Sequence, residues 1–232
     1  MPDLRAVFLD AGGTLIHLDR RFILDCLAQR GLDRTEAQFV TADAAARRHL
    51  VTLIQAGSTP DDASRWLAFG MALLGGLSCN DGDAEAVLRL ILQRQADGFL
   101  WSYTVDGTDV ALRRLRDDGY ILGVVSNADG RIDRFLEYAG LLDLVDFVVD
   151  SGVVGVEKPD PRIFRIACER AGVEPAEAVH VGDFYDIDVL GARASGIRPI
   201  LLDTEGLYAD ADCERITSIT ELPGWLARPL CS

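Results

Sequence analysis

The sequence predicts an α/β fold: a doubly wound, parallel, five-stranded sheet with an all-helical cap inserted after the first strand. Three observations carry that prediction. Five short β-rich apolar runs lie at residues 6–9, 121–125, 147–149, 178–181 and 199–202. None alternates cleanly with polar residues, so each suits a strand buried on both faces of a parallel sheet. Helical patterns separate the later runs, which implies a layered domain with right-handed crossovers. The third observation is the long stretch 17–99, which contains no convincing strand.

The first run ends in a single carboxylate, Asp10, followed at once by Ala-Gly-Gly-Thr. Next come four helical runs, "RRFILDCLAQRG", "TEAQFVTADAAARRHLVTLIQAG", "DDASRWLAFGMALLGG" and "DAEAVLRLILQRQADG". Glycine- and aspartate-rich breaks separate them, and helices joined by short loops pack as a bundle. Inserted directly after the first strand, such a bundle is expected to act as a lid. Open parallel sheets bind ligands at the C-terminal edge of their strands. The chain therefore divides into a core of residues 1–16 and 100–232 and a helical cap of residues 17–99. Beyond the cap, "DGTDVALRRLRDDG", "GRIDRFLEYAG" and "DPRIFRIACERAG" read as helices that stop at Gly119, Gly140 and Gly172. Asp160-Pro161 is a helix start, an N-cap followed by proline at the first helical position.

Composition narrows the partners. The formal charge of -14 argues against nucleic acid and anionic membrane, which select basic surfaces. Any anionic substrate must then be held by local features. The five cysteines, Cys26, Cys79, Cys168, Cys213 and Cys231, are odd in number and widely spaced. They read as reduced thiols in a cytoplasmic protein. Strand-like sequence starts within a few residues of Met1, which leaves no room for a leader. No apolar stretch approaches the roughly 20 residues needed to span a bilayer. One count is sharper: of 23 basic residues only Lys158 is a lysine. Arginine is a broad planar fork and lysine a compact ammonium on a flexible stem. A single lysine in an arginine background points to a place that only the ammonium fits.

Polar residues gather where the strands end. Asp10 closes the first run and Ser126-Asn127 the second. Gly182-Asp183 closes the fourth, with Asp186 and Asp188 close behind, and "VEKPDPRIF" puts Lys158 just before a helix start. Singly, each is an ordinary turn or cap. In a parallel sheet they converge on one edge.

The pattern D-x-x-G-T, S-N, K-P-D and G-D-x-x-x-x-D resembles the haloacid dehalogenase superfamily, whose members are mostly phosphatases with a Rossmann-like core. The helical insertion resembles that of its helical-cap subclass. The resemblance covers residues 6–202 and is specific for the superfamily, not for a substrate. It implies that Asp10 is the nucleophile and forms an aspartyl-phosphate, a strategy open to carboxylates. It implies Mg²⁺ as cofactor, with Asp10, Asp183 and the Gly12 carbonyl as ligands. Asp188 completes the acidic cluster, either through water or by orienting Lys158. Gly12, Gly13 and Thr14 allow a tight turn whose N–H groups face the phosphate as a nest. Ser126 and the Asn127 backbone hold another phosphate oxygen, and Lys158 neutralises Asp10 and the transferring group. The implied partner is a small phosphorylated molecule, with no nucleic acid and no membrane, and the protein is a monomer or homodimer.

One position departs from the family pattern. Two residues after the nucleophile most of these phosphatases carry a second aspartate, which protonates the leaving group and later activates water. Here that residue is Gly12, which does neither. General acid–base help is typically worth ~10²–10⁴-fold. Three readings stay open. The protein is a phosphatase with another acid, such as His17 or His49, or with leaving groups that need none. It is a 2-haloacid dehalogenase, a class that also lacks the second aspartate but works without metal and does not keep the pair seen here as Asp183 and Asp188. Or it is a weakly active or non-catalytic module that binds phosphorylated ligands. His180, inside a buried strand, reads as structural. Arg47, Arg48, Trp66, Phe69 and Met71 are the cap residues available for specificity, although Trp, Phe and Met at helical spacing are more often core.

Overall fold

The computed structural model describes residues 3–58, 62–97 and 100–228. Cys231 and the expected cap boundary at Phe99 lie outside the described residues. The chain divides into two compact units, Met1–His17 with Ser102–Ser232, and Leu18–Trp101. The strands are β1 Ala6–Leu9, β2 His17–Leu18, β3 Trp101–Tyr103, β4 Ile121–Ser126, β5 Phe147–Asp150, β6 Ala178–Gly182, β7 Arg198–Leu202 and β8 Glu214–Ile216. Strands β2 and β3 form a two-stranded sheet of their own.

The Leu18–Trp101 unit carries four helices, α1 Arg20–Ala28, α2 Glu36–Gln55, α3 Asp62–Gly76 and α4 Asp81–Ala96. Their starts are written in the sequence. Asp19 caps α1 by accepting from the Phe22 amide, and Asn80 caps α4 by accepting from the Asp83 amide. Thr35 and Gln38 form a reciprocal capping box at the start of α2. Helices α2 and α3 approach closely at Gly76, where an added Cβ would sit 3.1 Å from the Ala42 Cβ. Arg94 of α4 reaches back to Asp19 at 3.1 Å.

The other unit is built on a six-stranded sheet in the order β5-β4-β1-β6-β7-β8. All five of its pairings are parallel. Its helices are α5 Thr108–Asp117, α6 Ile132–Tyr138, α7 Ser151–Val154, α8 Pro161–Ala171, α9 Leu190–Ala194 and α10 Leu222–Leu226. The expected count of five strands is corrected to six. Strand β8 escapes a hydrophobicity reading because only Ile216 of its three residues is buried. It is a strand through its backbone ladder with β7, as an edge strand can be. All residues of β1 and β6 are buried, as parallel strands covered on both faces require. Gly123 of β4 makes room for the Phe147 ring, which a Cβ there would meet at 2.3 Å. Phe147 in turn stands edge-on to Phe8.

The strand order reverses at β1, with β4 on one side and β6 on the other. That is the topological switch point of an open α/β sheet, where the loops diverge and leave a crevice. Asp10 is the residue that follows β1 there. Among the described residues no helix is long and apolar enough to cross a membrane.

Candidate active site

Four chain segments meet at Lys158. The loop between α7 and α8 carries it, and its side chain is only 2% exposed. Its ammonium donates to Asp10 Oδ1 at 2.6 Å and to Asp188 Oδ1 at 2.7 Å. Burial disfavours the ammonium, but the two carboxylates outweigh it and push the Lys158 pKa up. The lone lysine is therefore a buried, permanently charged link between β1 and the segment after β6. A planar guanidinium would have to fit the same space with its fork.

Asp188 is committed on both oxygens. Oδ1 accepts from Lys158 and lies 2.9 Å from His180 Nε2, and Oδ2 accepts from the Phe184 amide at 3.0 Å. Burial opposes its ionisation, but the Lys158 charge and the His180 hydrogen bond hold its carboxyl well below the usual range. A carboxylate only accepts, so the His180 proton sits on Nε2. Burial pushes the His180 pKa down and keeps the ring neutral. His180 is thus structural in a specific sense: it backs Asp188, and its ring packs edge-on against Phe164. Period-two counting along β6 puts His180 on the same face as Gly182, a sequence signal that links it to this cluster.

The turn that delivers Asp188 is a π-helix at Tyr185–Val189, running into α9. Wide turns of this kind often mark functional positions. It brings the Asp188 carboxylate against Gly182, where an added Cβ would lie 2.2 Å from Asp188 Cγ. Gly182→Ala is therefore expected to push Asp188 off Lys158 and to cost roughly 1–3 kcal/mol of stability, the usual penalty of overpacking. Chemical denaturation checks this, and an unchanged midpoint would show that the segment gives way freely.

Asp10 is 7% exposed. Burial pushes its carboxyl pKa up, and the Lys158 ammonium opposes that shift. The loop after it closes on itself: the Gly13 amide donates to the Ile16 carbonyl at 2.8 Å, and the Thr14, Leu15 and Ile16 amides all donate to the Ala11 carbonyl. Gly13 takes a φ of +85°, which its lack of a Cβ permits. This corrects one expectation, since the Gly13 and Thr14 amides face into the loop and not toward a phosphate nest. The Thr14 hydroxyl is buried with no hydrogen-bond partner among the described residues. It is the polar group that Thr14 has left to offer a ligand.

Ser126 ends β4 and is buried. Asn127, expected to act through its backbone, uses its side chain as well. Its Nδ2 donates to the Lys158 carbonyl at 2.9 Å, and its Oδ1 accepts from the Lys158 amide at 2.7 Å. The loop that follows is pinned by Asp150 and Ser151. Asp150 accepts from the Gly130, Ile132 and Gly152 amides, and Ser151 Oγ bonds the Ala128 backbone. These supports are legible only in three dimensions, because nothing in their spacing marks them.

Among the described residues no group of three or more His, Cys, Asp or Glu side chains is spaced to hold a metal unaided. Mg²⁺ does not need one: it keeps several waters and takes one or two carboxylates plus substrate oxygens. Asp188 is engaged by Lys158, so the hard oxygen donors that such an ion would draw on, were it bound, are the expected ones, Asp10, Asp183 and the Gly12 carbonyl. One residue that sequence reading passed over also belongs to this neighbourhood. Burial pushes the Tyr208 phenol up, and Asp183, Asp186 and Asp188 add to the shift, so it stays a neutral donor.

The residues named for specificity fall in the helical unit. Phe69 is core, stacked on Trp66 at 5.9 Å. Arg47 is paired with Asp43 at 2.9 Å, whereas Arg48, His49 and Met71 are exposed. His17 stands edge-on to Tyr103. Cys26, Cys79, Cys168 and Cys213 are free thiols.

Fold and site together define a doubly wound α/β protein with a carboxylate–ammonium–carboxylate cluster at its switch point. A profile of haloacid dehalogenase-like hydrolases matches residues 4–196, and the chain belongs to that family. A Mus musculus protein named haloacid dehalogenase-like hydrolase domain-containing protein 3 is 43% identical over 123 residues, 52% of this chain and 49% of that one. The glyceraldehyde 3-phosphate phosphatase of Pyrococcus furiosus is 36% identical over 132 residues, 54% of each chain. The crystal structure of a HAD phosphatase from Thermococcus onnurineus superposes with a TM-score of 0.60 at 28% identity, covering 97% of this chain and 98% of that one. The chain spans about half the length of the curated relatives it matches.

Proposed function

We propose that this protein is a Mg²⁺-dependent phosphatase that acts on a small phosphorylated metabolite through an aspartyl-phosphate on Asp10. The observation that carries the reading is the buried Lys158 ammonium, 2.6 Å from Asp10 and braced by Asp188. A family relative named as a phosphatase supports it. Charge balance supports the metal. One ammonium faces two carboxylates, with Asp183 nearby in the chain, so the cluster keeps a negative excess that would repel a phosphate. Mg²⁺, held by Asp10, Asp183 and the Gly12 carbonyl, would offset that excess and cover the phosphoryl oxygens.

An Asp10 oxygen attacks phosphorus in line, the bond to the leaving oxygen breaks, and that oxygen departs with the electron pair. Lys158 holds Asp10 in place and meets the charge of the transferring group. Ser126 and the Thr14 hydroxyl are the neutral donors for phosphoryl oxygens. Water then attacks phosphorus, releases phosphate and restores the Asp10 carboxylate. Asp188 acts through Lys158 and not as a ligand, since its oxygens already accept three hydrogen bonds.

Gly12 cannot protonate the leaving oxygen. Aryl phosphates, whose leaving groups need little help, are expected to turn over about 10²-fold or more faster than alkyl phosphates. Equal rates would show that another residue supplies the proton. The test is a panel of phosphate esters with and without excess chelator. Hydrolysis should vanish with chelator and return with Mg²⁺, and equal turnover in both would overturn the reading. Metal-free halide release from a 2-chloro acid would replace it with dehalogenation. Binding of phosphate mimics without turnover would replace it with a binding module.

A further inference from the structure

Asn127 follows Ser126 at the end of β4, yet its carboxamide is turned away from solvent-facing chemistry and onto the chain at Lys158. It makes both hydrogen bonds a peptide unit can offer there: Nδ2 gives to the Lys158 carbonyl and Oδ1 takes from the Lys158 amide, 31 residues away in sequence. Only a primary amide fits this role, because the contact needs a donor and an acceptor on one planar group. A carboxylate would accept from the amide and repel the carbonyl.

We infer that the Asn127 side chain is a positioning residue, which fixes the Lys158 backbone so that its ammonium reaches Asp10 and Asp188 together. Lysine has four rotatable carbons and three donors that can point anywhere. The fork at 2.6 and 2.7 Å demands that the stem start from one place. On the other side, Asn127 is itself held. The segment after it is bonded at Ala128 to Ser151, and at Gly130 and Ile132 to Asp150. The close fit of this segment is tight enough that a Cβ on Gly152 would lie 2.7 Å from the Gly130 nitrogen. Strand β4 thus measures out the ammonium's position and presents Ser126 from the same turn. The inference deepens the proposed phosphatase reading, but its geometry concerns the free protein.

The sole lysine makes the test clean. The full chain is treated with an amine-selective acylating ester at fixed pH, and the Lys158-containing peptide is followed by mass. Lys158 of the unchanged protein, buried in its fork, is expected to resist acylation. In Asn127→Ala and in Asn127→Asp its rate should rise roughly tenfold or more, as loss of the paired hydrogen bonds frees the stem. Turnover of an aryl phosphate should fall mainly in kcat, with KM changed less. Circular dichroism selects the folded variants, and Asn127→Asp, close in shape to asparagine, serves if the alanine variant does not fold. A folded variant whose Lys158 stays as protected as before would overturn the inference. Protection needs no substrate, so a protein inactive on every ester but with Asn127-dependent protection would sink the phosphatase reading and leave this one standing.

Discussion

Asp10→Asn is expected to drop aryl phosphate turnover by on the order of 10⁴-fold or more, the scale on which nucleophile loss acts. The change is nearly isosteric, and the β1 segment is held by residues that do not involve the side chain. Its amide at position 10 donates to the Val181 carbonyl at 2.8 Å, and the loop closes on the Ala11 carbonyl. The fold should therefore survive, so that lost activity reports chemistry. Lys158 keeps Asp188 as its partner in that variant. Rapid-quench labelling with a ³²P-ester gives the sharper check. Acid-stable, base-labile label should build up on the unchanged protein and be absent from the variant. Full turnover by Asp10→Asn would remove Asp10 from the reaction.

Lys158→Met is expected to damage both activity and stability. Methionine fills much of the lysine stem's volume but leaves Asp10 and Asp188 buried without their cation. Breaking a buried ion pair by removing one partner costs roughly 3–5 kcal/mol. The pH dependence follows from the same geometry. Without the ammonium, burial and mutual repulsion raise the folded-state pKa of this carboxylate pair above its unfolded value. The folded variant then binds a proton more readily than the unfolded chain. The protonated pair is tolerated below the unfolded pKa, and stability is lost as pH rises through the folded pKa. The deficit against the unchanged protein should thus be largest near neutral pH and shrink in mild acid. Urea titrations at several pH values in chelator measure it. A deficit that stays constant across them would mean that the pair does not carry the cost.

Much of the architecture was legible because parallel strands announce themselves. The strands β1, β4, β5, β6 and β7 are mostly apolar and largely buried, as a covered parallel sheet requires, and the helices between them stop on Gly119, Gly140 and Gly172, all with positive φ. Strand β8 was not legible because two of its three side chains are exposed and its ladder with β7 is what makes it a strand. The helix caps were readable for the opposite reason: Thr35, Asn80 and Asp160 act on amides two or three residues ahead. Interactions that short survive in one dimension.

The candidate site divides along the same line. Sequence by itself determined the family, the placement of Asp10 at a strand end, the singular status of Lys158 and the missing acid at Gly12. Each of these is a matter of residue type at a strand end, and strand ends are local. The order of the strands then made the end at Asp10 the switch point. Only the tertiary structure decided what the neighbours do. It turned the Gly13 and Thr14 amides inward, tied Asp188 to His180 and Lys158, and set the Asn127 carboxamide on a peptide 31 residues away. Hydrogen bonds are directional and short, so which donor meets which acceptor depends on the packing of whole elements, and no spacing along the chain encodes it.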